Sequence, residues 1–122
     1  MRARMGRTIA VGLALVLGTA SPTAGAVQSL TIEGYVIEQQ CFGESVFVDM
    51  SAVHDSSSEP VRFRWDFEND GRWDTRPRIN PFQRPVYVGD GQLVTVRVGA
   101  RNSEGDTDQD VFTFTAVDCI PG

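Results

Sequence analysis

Four carboxylates crowd one short stretch of this chain, Trp-Asp-Phe-Glu-Asn-Asp-Gly-Arg-Trp-Asp-Thr, residues 65–75. Asp66, Glu68, Asp70 and Asp74 surround a tight Asn-Asp-Gly turn. Calcium takes about six to eight oxygen ligands, and acids spaced closely around a glycine turn can supply them. With Gly71, these residues match positions one, three, five, six and nine of a calcium loop. Position twelve calls for a bidentate Glu, and Pro77 stands there. The flanks alternate like strands and do not read as helices. A second reading is a solvated hairpin turn whose Asp serves backbone geometry. In that case Arg64 pairs with Asp66 on one strand face. Both readings stay open from the sequence.

A second acidic set, Glu104, Asp106, Asp108 and Asp110, is spaced two apart. If extended, it lines one face as a cation surface or as a charged edge that discourages aggregation. An aromatic and basic strip follows the first turn: Arg72, Trp73, Arg76, Arg78, Phe82 and Arg84. Aromatic residues and arginine are enriched at binding hot spots, and exposed rings stack on sugars, so the segment 72–84 is the expected contact surface. Catalysis is not expected. The one histidine, His54, lies beside Asp55 and Ser56, but a triad needs three-body geometry that adjacency does not provide. A glycosidase carboxylate pair needs a cleft for which so small a domain has little room. One His and two distant Cys make no zinc site.

These groups must be positioned by strands. Alternation puts Leu30, Ile32 and Val36 on one side, then Val46, Val48, Met50 and Ala52. Val61, Phe63, Trp65 and Phe67 share a face opposite Arg62, Arg64 and Asp66. Val94, Val96, Val98 and Ala100 oppose Thr95, Arg97 and Arg101, and Phe112, Phe114 and Ala116 oppose Val111, Thr113, Thr115 and Val117. Turn signals fall at residues 54–60, 68–71, 89–92 and 102–105. The three prolines in residues 76–85 exclude a central strand and leave a long surface connection or edge. Short alternating strands with regular turns predict an all-β chain folded as an antiparallel β-sandwich, with Trp65 between the sheets.

Residues 1–26 read as a secretory signal peptide: Arg2, Arg4 and Arg7, a short apolar run, then Ala24 and Ala26 at a cleavage site. The remainder, residues 27–122, is expected to be one domain without a transmembrane anchor, secreted or periplasmic. Losing the three leader arginines leaves 8 basic residues, all Arg, against 16 acidic ones, a net charge of −8. Such a chain is repelled by nucleic acid and anionic membranes. The signal sends Cys41 and Cys119 to an oxidising compartment, where they are expected to pair.

Trp65-Asp66-Phe67 with Asp70-Gly71, then an alternating strand ending in Asn102-Ser-Glu-Gly105, resembles the PKD domain, the immunoglobulin-like β-sandwich first named in polycystin. The resemblance spans about residues 44–117. Gln92 and Val94 stand where the family often has Gly and Tyr, so no tyrosine corner is carried over. The segment before Cys41 and the cysteine pair look like local additions. PKD domains usually sit as spacers or binding modules beside a catalytic domain, and secreted ones sometimes bind calcium. The resemblance implies a secreted, non-catalytic module for protein interaction or adhesion, stiffened by Ca²⁺ at Asp66, Glu68, Asp70 and Asp74. The alternative is a polysaccharide-binding module using the aromatics of the segment 72–84. The expected partner is an extracellular or periplasmic protein or polysaccharide.

Overall fold

The computed structural model describes residues 29–120; the expected signal peptide lies outside them. Six strands form in order: β1 (Ile32–Phe42), β2 (Ser45–His54), β3 (Arg62–Asp66), β4 (Val86–Val88), β5 (Leu93–Arg101) and β6 (Thr107–Thr115). They make two antiparallel sheets, β1-β2-β4 and β3-β5-β6, stacked face to face as alternation predicts. Between them lies a core that includes Leu30, Ile32, Val46, Val48, Met50, Phe63, Trp65, Val96, Val98 and Phe112. Trp65 is fully buried, edge-on to Phe112 and stacked near Phe67. Among the described residues no helix is long and apolar enough to cross a membrane.

The boundaries differ from the expectation in three places. β1 runs on to Phe42 past an irregularity between Val36 and Glu38, which shifts its register on β2. β4 was hidden by the prolines, and it pairs three residues with β2. β6 starts at Thr107, before the alternating run that begins at Val111, and so takes in Asp108 and Asp110. The proline-rich connection covers two strand edges as it passes. Arg78 exchanges both backbone hydrogen bonds with Phe63 of β3, at 2.7 and 2.8 Å, and Gln83 does the same with Met50 of β2 at 2.9 Å.

The acidic stretch has a different role from the one its spacing suggests. β1 and β6 are edge strands of different sheets, and edge N–H groups need acceptors. Asp108 accepts the N–H of Ile32 and Asp110 the N–H of Gly34, both at 2.8 Å. Further along, Gln39 donates to the Thr115 carbonyl and accepts from Val117 N–H. The Cys41–Cys119 disulfide follows, as expected. Partners along this seam stay 76 to 78 residues apart, so the two edges run parallel, joined by side chains. The expectation of four exposed carboxylates is corrected accordingly. Asp108 and Asp110 are buried, Asp106 is half-buried and bonded to Ser29 and Asn102, and only Glu104 is exposed. The backbone of β1, at the edge of the other sheet, draws Asp108 and Asp110 inward.

Replacing Asp110 by Ala leaves a buried amide without its acceptor and is expected to cost about 2 kcal/mol. Glu104→Ala should stay within about 0.5 kcal/mol of the parent. Urea unfolding of the two variants checks the contrast, and equal effects would remove the seam from the account.

Candidate functional site

Antiparallel pairing of β3, β5 and β6 lays out the outer face of their sheet in rows. Arg62 faces Arg101, which faces Thr107; Arg64 faces Gly99, which faces Gln109; Asp66 faces Arg97, which faces Val111. Half of the domain's arginines therefore stand on one face. Asp66 is the strand's last residue, and the chain turns back over it at once. Its carboxylate accepts the backbone N–H of Asp70 at 3.1 Å and of Gly71 at 3.0 Å. Arg97 adds bonds from Nε at 3.2 Å and Nη2 at 3.0 Å. Asp66 is thereby on the outward face of its strand yet 0% exposed. The turn needs a left-handed residue at Asn69 and again at Gly71, types that tolerate positive φ.

The other acids of the loop serve the loop. Asp70 accepts from Arg72 N–H and Asp74 from Phe67 N–H. Asp74 N–H donates to the Trp65 carbonyl at 2.7 Å, and Thr75 Oγ1 accepts from Trp65 N–H. Glu68 is exposed. Among the described residues no group of three His, Cys, Asp or Glu side chains is gathered as a metal site. Asp66 pairs with Arg97 of the neighbouring strand and not with Arg64. Tyr87 closes the far side, its hydroxyl donating to the Phe67 carbonyl at 2.8 Å. Burial, with Glu68, Asp74 and Asp66 nearby, pushes its phenol upward.

The turn delivers Trp73 onto the sheet. Its ring edge rests on Gly99, where an added Cβ would sit 2.8 Å from Cη2. The guanidinium carbons of Arg97 and Arg64 lie 3.9 and 4.3 Å from the ring centroid. Each such contact contributes about 0.5–1 kcal/mol at a surface. The indole is thus engaged by two cations and does not stand free as a sugar platform. Beyond it opens a groove of 570 Å³, walled by Trp73, Pro77 and Pro60 and floored by Gly99 and Ala100, with Arg62 and Arg101 at its sides. Arg62, Arg64 and Arg101 have no salt bridge among the described residues.

The expected strip of residues 72–84 is split. Trp73 belongs to this groove, while Arg76, Arg78 and Phe82 line a second one with Asp74 and Asn80. Arg84 is committed to Asp49 through two hydrogen bonds, and Arg72 is exposed on the turn. The residues missed were Arg62, Arg64, Arg97, Arg101 and Gly99. Alternation already placed the four arginines outward. The register that sets them side by side is a pairing property, and no single strand carries it.

No protein-family model matches the chain, and no curated protein matches it. Among solved structures, the chain is similar to the PKD1 domain of Vibrio anguillarum Epp, with 20% identity and a TM-score of 0.45 over 75% of this chain and 96% of that one. It is also similar to the PKD1 domain of the Vibrio cholerae metalloprotease PrtV, with 21% identity and a TM-score of 0.45 over 74% and 98%. At that level neither match speaks to a ligand.

Three carboxyls are lowered from the ordinary value of 3.8. At Asp66 burial pushes upward, but the amides of Asp70 and Gly71 and the Arg97 guanidinium outweigh it. Asp49 is lowered by hydrogen bonding to Arg84, and Asp106 by Ser29 and Asn102. Folded-state values below 3.8 mean that their stabilisation is complete above that pH and is lost as pH falls through the folded values. Urea unfolding midpoints should therefore hold steady from neutral to about pH 5 and fall below about pH 4. Asp66→Asn should be less stable at neutral pH and show a shallower acid decline. An unchanged acid slope would contradict the assignment.

Proposed function

We propose that this chain is a non-catalytic extracellular module of PKD type that binds a protein partner on the outer face of β3, β5 and β6. The observation that carries the reading is the groove itself. Three arginines without acidic partners stand around a tryptophan locked in place by a turn, on a chain whose formal charge is −5. Arginine and tryptophan are the residues that dominate binding hot spots. A rigid wall lowers the ordering cost of association. The disulfide fits an oxidising compartment. The polar groups that catalysis needs are otherwise occupied: His54 Nδ1 accepts the Ser56 amide, and its Nε2 faces Glu59 at 3.6 Å. The polysaccharide alternative draws less support, because the Trp73 ring carries two guanidinia where a sugar would stack.

The test is differential capture from the medium in which the chain is secreted. The parent, an Arg62→Ala/Arg101→Ala pair and Phe82→Ala are compared, alongside retention on chitin, cellulose and cell-wall material. A protein retained by the parent and by Phe82→Ala but lost from the arginine pair is the expected result. Loss on Phe82→Ala alone would move the surface to the second groove. Retention on a glycan that Trp73→Ala abolishes would favour the sugar reading.

A further inference from the structure

Arg62 and Arg101 are directly opposed across β3 and β5. Like charges in that position destabilise a sheet. No carboxylate pairs with either one among the described residues, although the chain has 16 acidic side chains to draw on. The same sheet supplies Asp66 to Arg97, and the opposite sheet supplies Asp49 to Arg84. Positive charge is neutralised elsewhere and left standing here, beside an open groove.

Arg62 and Arg64 lie two residues apart on one face of β3, about 6.7 Å along the strand. An extended peptide with acids at every second residue repeats at the same distance. Both sides of such a pairing project their charges at one pitch, so successive carboxylates meet successive guanidinia without strain. The Arg64 guanidinium carbon lies 4.3 Å from the Trp73 ring centroid, a contact that limits its freedom, and a guanidinium can offer two parallel donors to one carboxylate. The approach must be through side chains. The free edge of β3 is bridged by Arg78, and that of β6 by the seam to β1, which leaves no edge in this sheet for strand addition. A neutral sugar would have to compete with two guanidinia for the Trp73 ring, and a nucleic acid or anionic membrane meets the repulsion of the whole acidic chain. A short peptide carries far less charge into that field. Within a Debye length of about 8–10 Å, the three local arginines dominate what it feels.

Resting on the protein-binding reading above, we propose that this groove takes an extended acidic peptide segment, with Arg62, Arg64 and Arg101 each pairing a carboxylate. The probe is a short synthetic peptide alternating Asp and Ser, titrated calorimetrically into the full secreted chain. An Asn-Ser peptide and polygalacturonate are run in parallel. The alternating acidic peptide should bind and the Asn-Ser peptide should not. Arg62→Ala or Arg101→Ala should weaken binding about tenfold, with thermal midpoints that do not fall, because both side chains are exposed and either change removes a like-charge pair. Arg72→Ala, on the turn outside the groove, should bind like the parent. Raising salt should weaken the complex. Equal binding by parent and arginine variants would overturn the site. Polygalacturonate binding without peptide binding would overturn the ligand class while leaving the groove as a contact surface. No binding of any probe would overturn the acidic-segment inference. The protein-binding reading would then stand or fall separately on the capture experiment.

Discussion

A carboxylate with no exposure to water needs several donors, and Asp66 finds four. Two come from the turn that follows it and two from the strand beside it. Burying the charge is costly, and only this convergence offsets the cost. One consequence is local: the loop after β3 must fold back over its own strand. Another is longer in range: Arg97 is drawn toward Asp66 and held under Trp73. The wall of the groove thus depends on a charge two residues along β3 from the nearest arginine without an acidic partner, Arg64. The order of construction runs from buried acid to turn, from turn to indole, and from indole to a fixed Arg64.

The opposite margin of the domain is governed by the same need to satisfy buried polar groups. β1 belongs to one sheet and β6 to the other. Asp108, Asp110 and Gln39 substitute side-chain acceptors and donors for the missing strand. The disulfide locks the end of that seam. In the chain-entropy model, closing a loop of this length removes on the order of 4 kcal/mol of denatured-state freedom. A small sandwich gains much from such closure, since its core alone is modest. The groove-bearing sheet is thereby left with no open edge, and its outer face remains for contact.

Much of this was legible before any coordinates. Alternation in β3 and β5 assigns Phe63, Trp65, Val96 and Val98 to the core, and each is buried. The cysteines pair as the compartment suggests. What failed to show was anything that depends on register. The sequence places Asp66 beside Arg64, its neighbour along the strand, while the true partner lies 31 residues away. The seat of Trp73 does not show because the glycine that receives it, Gly99, sits in a different strand. Asp108 and Asp110 read as surface charge because their spacing is that of an outward face. Nothing in a local window announces that the edge of β1 lies alongside. β4 escaped notice because it follows directly on Pro85 and is only three residues long.

The central claim is that Asp66 and Arg97 act as one unit that carries the turn and Trp73. A double-mutant cycle tests it most directly, using Asp66→Asn, Arg97→Met and the combination, with unfolding free energies from urea at neutral pH. Breaking one side of a buried pair typically costs about 3–5 kcal/mol, so each single change should be severe. The double variant should be little worse than either single one, with a coupling energy of at least about 2 kcal/mol. Additive effects with coupling near zero would mean that the two residues stabilise the fold independently, and the groove would have to be explained without them.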